Sequence, residues 1–179
     1  MPAGKNPTIT VRYPKRWLLV GTAFWVIITP LSAYLAITSI EDFAKAVFWL
    51  IAVSEGIFLF LVAFTPLLTN HIAGELGLKL RMGVLVNETI AYSWIAEAKD
   101  TSLNWGSVRV GIGVRYSRRP KTLYITSGFD QMVSLRLDSE RLIGGVFKKP
   151  VSEIVLNVDS ARSFIELVAA RKGQAPGGG

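Results

Sequence analysis

Apolar and polar positions follow three successive regimes along this chain. From Trp17 to Ile40 there are 24 residues without a charge, and from Ala46 to Leu68 there are 23 with one, Glu55. About 20 apolar residues in a helix cross a hydrocarbon core of about 30 Å. The pattern therefore predicts two spanning helices, 17–40 and 46–68. The connection between them carries Glu41, Asp42 and Lys45.

Beyond Leu68 the apolar period falls to two. Leu76, Leu78, Leu80 and Met82 alternate with Gly77, Lys79, Arg81 and Gly83, which predicts a half-buried strand closed by a glycine turn. Val84–Glu88 and Ile90–Trp94 read as a second strand, bent between them. Val108 to Val114 alternates again, Ser117–Pro120 reads as a turn, and Leu123 with Ile125 opens the next strand. Val133–Leu137 and Ile154–Val158 complete the set, separated by a long connection from Asp138 to Pro150.

The period then changes to that of a helix. Ala161, Phe164, Ile165 and Val168 share one face, Asp159 or Ser160 suits its N-terminus, and Arg171 and Lys172 suit its C-terminal dipole. The prediction is a transmembrane α-helical hairpin followed by an antiparallel β-barrel or sandwich with a capping C-terminal helix. Its parts are a basic arm (1–16), the hairpin (17–68), the sheet domain (71–172) and a glycine-rich tail (173–179).

Charge adds an orientation. The arm carries Lys5, Arg12, Lys15 and Arg16 with no acid. Of 20 Lys and Arg, 15 lie from His71 onward, against 10 of the 13 Asp and Glu. The positive-inside rule places arm and domain in the cytoplasm of a two-span protein. Basic residues near an anionic leaflet fit membrane apposition, and no motif supports nucleic-acid binding. With no cysteine, disulfides, thiol catalysis and thiolate metal sites are excluded; one histidine gives no basis for zinc. No cofactor is expected.

Two features interrupt the apolar runs. Pro30 removes one helical hydrogen bond and frees the Val26 carbonyl. Glu55 sits near the middle of the second run, at about the depth of Thr29 if the helices turn at 41–43. Glu55 and Thr29 are thus expected to make an intramembrane polar contact. The reading is either packing within the hairpin, contact with a partner subunit, or an ion path. Gly21, Ala23, Ala33, Ala36, Ala52 and Gly56 offer small surfaces for close helix contact.

Three short motifs carry a resemblance. Leu78-Lys79-Leu80-Arg81-Met82-Gly83, Ile90-Ala91-Tyr92-Ser93-Trp94-Ile95, and Asn157-Val158-Asp159 with Phe164-Ile165 are similar to segments of the bacterial pleckstrin-homology-like (PH-like) family. In these small membrane proteins a two-helix hairpin precedes a PH-like domain. Ala91 stands where the family step is expected to hold proline. The resemblance implies fold and topology and leaves activity open.

The strongest candidate site is basic: Arg109, Arg115, Arg118, Arg119 and Lys121 around one hairpin, with Lys148 and Lys149 on a second loop. Such a cluster suits lipid phosphates or an acidic partner; the alternative is a solvated sheet edge kept from aggregation by charge. Gly111-Ile112-Gly113 lies inside a strand and lacks the third glycine of a nucleotide loop. His71, after the second run, reads as a polar residue of the membrane edge. Trp94 and Trp105 read as core or contact residues. No nucleophile elbow or paired carboxylate frame is present, so no enzyme is expected. The expected function is a membrane-anchored module that binds or organises a protein partner. Alternatives are recognition of anionic headgroups and an accessory role in a larger membrane transport or respiratory complex.

Overall fold

A computed structural model describes residues 7–101, 112–144 and 148–174. Two long apolar helices come first. Helix α1 (Arg16–Thr38) is followed by α2 (Asp42–Phe58), which passes through a π-helical stretch, Leu59–Phe64, into α3 (Thr65–Leu67). Both are long and apolar enough to cross a membrane. Asp42 opens α2 four residues before the predicted start, because a charge in a first turn favours the helix dipole. The connection shrinks to residues 39–41, so the turn lies earlier than predicted.

Small residues hold the two helices together. Ser32 and Ala36 on α1 and Ala52 on α2 are buried between them, while Trp25 and Phe58 meet at 5.2 Å. Gly21 and Gly56 have open space beside them and take no part in a tight seam. Ile27, Leu31, Leu50 and Val53 are exposed on the outside of the pair.

The sheet domain has two layers. One sheet has the order β1-β2-β3-β4, from Ile9–Val11, His71–Ala73, Gly77–Met82 and Val86–Ala91. The other has the order β5-β8-β9-β7-β6, from Ile95–Asp100 (β5), Gly113–Ser117 (β6), Thr122–Thr126 (β7), Met132–Ile143 (β8) and Lys149–Asn157 (β9). Leu78, Leu80, Ile90, Leu135, Ile154 and Leu156 form the core between them. Helix α4 (Ala161–Gln174) packs Phe164 and Val168 into the same core.

Four differences from the sequence pattern have physical causes. The basic arm is not separate from the domain, since Ile9, Thr10 and Val11 pair with Ala73, Ile72 and His71 as an edge strand. A three-residue strand is too short to show a period. The expected all-antiparallel arrangement fails at one pair: β7 and β9 run parallel, Thr122 opposite Glu153 and Ile125 opposite Leu156. Strand β9 is inserted between β8 and β7, and its residues Ile154–Asn157 are buried in succession, as a strand covered on both faces requires. The long connection from Asp138 to Pro150 is largely strand, because β8 continues to Ile143. Finally, Tyr92–Trp94 is a short 3-10 turn rather than a strand end, and polar β5 follows it.

Candidate functional site

The foot of the domain is fastened to the helices from both flanks. Tyr13 donates from its hydroxyl to the Pro66 carbonyl at 2.5 Å, and Lys15 Nζ to the Leu67 carbonyl at 2.6 Å. Residues that precede α1 thereby bond to two carbonyls in the last turn of the helix, of which Pro66 O also accepts the Thr69 amide hydrogen. Ser127 donates to the Pro14 carbonyl at 2.6 Å, Trp17 packs edge-on against Phe129, and Arg16 pairs with Asp130. On the other side the β3–β4 turn presses on α3: the Gly83 amide donates to Thr69 Oγ1 at 2.8 Å.

His71 is part of this joint and not a membrane-edge residue. It is 1% exposed, lies under the Tyr13 ring at 5.1 Å, and accepts the Arg81 amide hydrogen on Nδ1 at 3.1 Å. Burial away from water holds its imidazole down at about 4. Burial likewise pushes the Tyr13 phenol up.

The basic residues lie at the other end of the domain. The β6–β7 turn carries Arg118, Arg119 and Lys121, and it is anchored to the start of β9: Ser152 donates its amide to Lys121 O and its hydroxyl to Pro120 O, both at 3.0 Å. Tyr116 adds a bond to Pro150 O at 2.7 Å. Lys148 and exposed Lys149 are thus brought beside the turn. Arg115 is exposed on β6, and Lys121 pairs with Glu140 at 2.5 Å. Asn157, at the foot end of β9, accepts the Ser127 amide hydrogen. Along β9, eight residue steps separate it from Lys149, roughly 25 Å, and five separate it from Ser152, which holds the arginine turn, roughly 17 Å. Arg109 and Trp105 lie outside the described residues.

Trp94 is half-buried against the core, with the Arg141 guanidinium stacked 4.8 Å from its ring. Within the hairpin, Thr29 Oγ1 and Glu55 Oε2 are each buried and have no hydrogen-bond partner among the described residues. The expected polar contact is not made as a hydrogen bond.

A third feature had no signal in the pattern. Strand β1 and helix α4 flank a groove of about 400 Å³, floored by Val158, Phe164 and Leu167 with Ser160 and Ser163 at its rim. The strand is tied down within the groove by the Asp159 amide to the Arg12 carbonyl at 3.1 Å, and one turn of α4 beyond Leu167 by Arg171 Nη2 to the Pro7 carbonyl at 2.6 Å. Arg171 is 5% exposed. A cation in the last helical turn reads from sequence as a solvated partner of the dipole, and its burial depends on an arm 164 residues away.

Among the described residues no three His, Cys, Asp or Glu side chains come together as metal ligands. The most polar group within the sheet is Glu153, which accepts hydrogen bonds from Ser134 and, at 3.0 Å, from Thr122. It bridges β7, β8 and β9 and is consumed in holding them. The chain matches no family model, no curated protein and no solved structure.

Proposed function

We propose that the chain is a membrane-anchored, non-enzymatic module that binds a protein partner through the basic end of its sheet domain. In this reading the hairpin crosses the bilayer, and the excess of basic residues in arm and domain supports a cytoplasmic location for both. One observation carries the reading: Arg118, Arg119, Lys148 and Lys149 stand at the end of the domain away from the helices. At roughly 17–25 Å of strand length from the foot they lie beyond a Debye length of about 8 Å from the anchoring leaflet. That separation favours an acidic protein surface over headgroups of the same bilayer. Tethering raises the local concentration of the domain against membrane-bound partners, so a weak contact suffices. Assignment to the PH-like family belongs to the same proposal. Two sheets and a terminal helix support it; the parallel β7–β9 pair is its main departure.

The test is purification of the full-length protein in mild detergent with identification of what co-migrates. A stoichiometric partner lost from Arg118→Glu/Arg119→Glu supports the reading. Retention of every partner by that variant contradicts it. A second reading, an accessory subunit of a larger membrane complex, is favoured by the unpartnered Thr29 and Glu55 atoms, which a neighbouring helix would satisfy. In that case Glu55→Ala disperses the assembly and the arginine variant does not.

A further inference from the structure

We infer that the groove between β2 and α4 is a peptide site, occupied by the chain's own residues 7–12, whose proper ligand is an extended segment carrying a carboxylate near the position of the Pro7 carbonyl.

The edge of β2 is built to receive a strand. The Gly74 amide donates to Gly77 O at 2.9 Å, and Ile72 stands opposite Lys79. Alternation along an antiparallel ladder then turns the backbone groups of Ile72 toward β3 and those of His71 and Ala73 toward β1. Ile9 and Val11 satisfy them. The amide and carbonyl of Thr10 face the opposite way, into the groove.

Residues 7–12 fill this place poorly. Only Val11 among the β1 side chains is buried; Ile9 is 38% exposed and Thr10 is exposed. About 400 Å³ remains unfilled between the strand and Phe164 and Leu167 of α4. The cation is also incompletely met. Arg171 gives one nitrogen to a neutral carbonyl, its Nη1 is buried without a hydrogen-bond partner, and no carboxylate lies within ion-pair distance among the described residues. A buried guanidinium is ordinarily paired, and its planar fork matches a carboxylate with two parallel bonds.

One occupant answers both deficits while keeping the β2 edge paired. An extended peptide supplies backbone groups to β2, apolar side chains to the groove, and an acid to Arg171, in the manner of strand addition at a sheet edge. A fatty acid could fill the groove and reach Arg171 but leaves the β2 backbone groups unpaired. The arm, held beside the groove by the chain itself, keeps the site closed until a better strand displaces it. This surface is separate from the basic turn, and the inference stands whether or not that turn binds a partner.

The experiment uses full-length protein in mild detergent carrying Ile9→Pro, which removes one bond of the arm at an exposed position. Two fluorescent peptides are compared by anisotropy, one with the sequence of residues 7–14 and one with aspartate in place of its proline at position 7. The aspartate peptide is expected to bind about tenfold more tightly, and the difference to vanish with Arg171→Met. Equal affinities, no binding by either peptide, or binding of a fluorescent fatty acid alone overturn the inference. If Ile9→Pro does not fold, the parent protein gives the reading. Pro7→Asp raises the thermal midpoint with Arg171 present and fails to do so with Arg171→Met; absence of that coupling overturns it equally.

Discussion

Val11 stands opposite His71 in the ladder between β1 and β2, although the whole helical hairpin lies between them in the chain. The backbone of each satisfies the other, while the neighbouring Thr10 turns its amide outward. Proline therefore has opposite consequences at adjacent positions. Thr10→Pro is expected to leave chemical denaturation within about 0.5 kcal/mol of the parent. Val11→Pro is expected to cost about 1–3 kcal/mol, the loss of one ladder bond with a buried acceptor left unpaired. Equal effects would mean the ladder has the other phase.

Acid acts on the same joint. His71 is held at about 4 by burial, against 6.5 for a free imidazole. Between those values the unfolded chain binds a proton that the folded chain refuses, so stability rises with pH across that window and is lost on acidification. The full difference is about 3 kcal/mol. Replacement His71→Gln should flatten the profile between pH 4 and 6.5, as read from denaturation midpoints at a series of pH values.

Gly83 is required where the domain meets the helices. Its φ is +57°, and a Cβ there would lie 2.2 Å from Thr65 Oγ1 and 2.7 Å from the Pro66 nitrogen. Gly83→Ala is expected to destabilise by at least about 1–2 kcal/mol and to loosen the joint. Faster hydrogen exchange at the Tyr13 and Thr69 amides would register that loosening, and unchanged exchange would count against it.

The basic turn predicts a separation of stability from binding. Arg118 and Arg119 are exposed, and charge reversal at both should move the unfolding midpoint by no more than about 0.5 kcal/mol while partner capture falls. Flotation with anionic vesicles, measured on the same preparation, should stay as it was. A loss of vesicle binding in that variant would return the turn to the lipid reading.

The hairpin, the strands rich in alternating Leu and Val, and α4 are legible in the sequence because each repeats its period several times. Strands β1 and β2 repeat nothing over three residues, and β5 shows a polar face to solvent, so pattern alone passes over them. The basic residues are equally plain as a list. Their distance from the helices is not, because it depends on β7 and β9 running side by side in the same direction. Arg171 is the sharpest case. A cation at a helix end looks complete in sequence, and only the packing of Pro7 against it reveals a buried charge met on one side.

Pairing of Ile9–Val11 with His71–Ala73 also bears on how the protein is made. The ribosome delivers the first strand before either helix and its mate only after both. If one helix failed to cross the bilayer, the two halves of the ladder would sit in different compartments and the first sheet would lack its outer strand. If the hairpin is the membrane anchor proposed above, the first sheet can be completed only when both helices have crossed, and a copy with one helix uncrossed leaves the edge of β2 open.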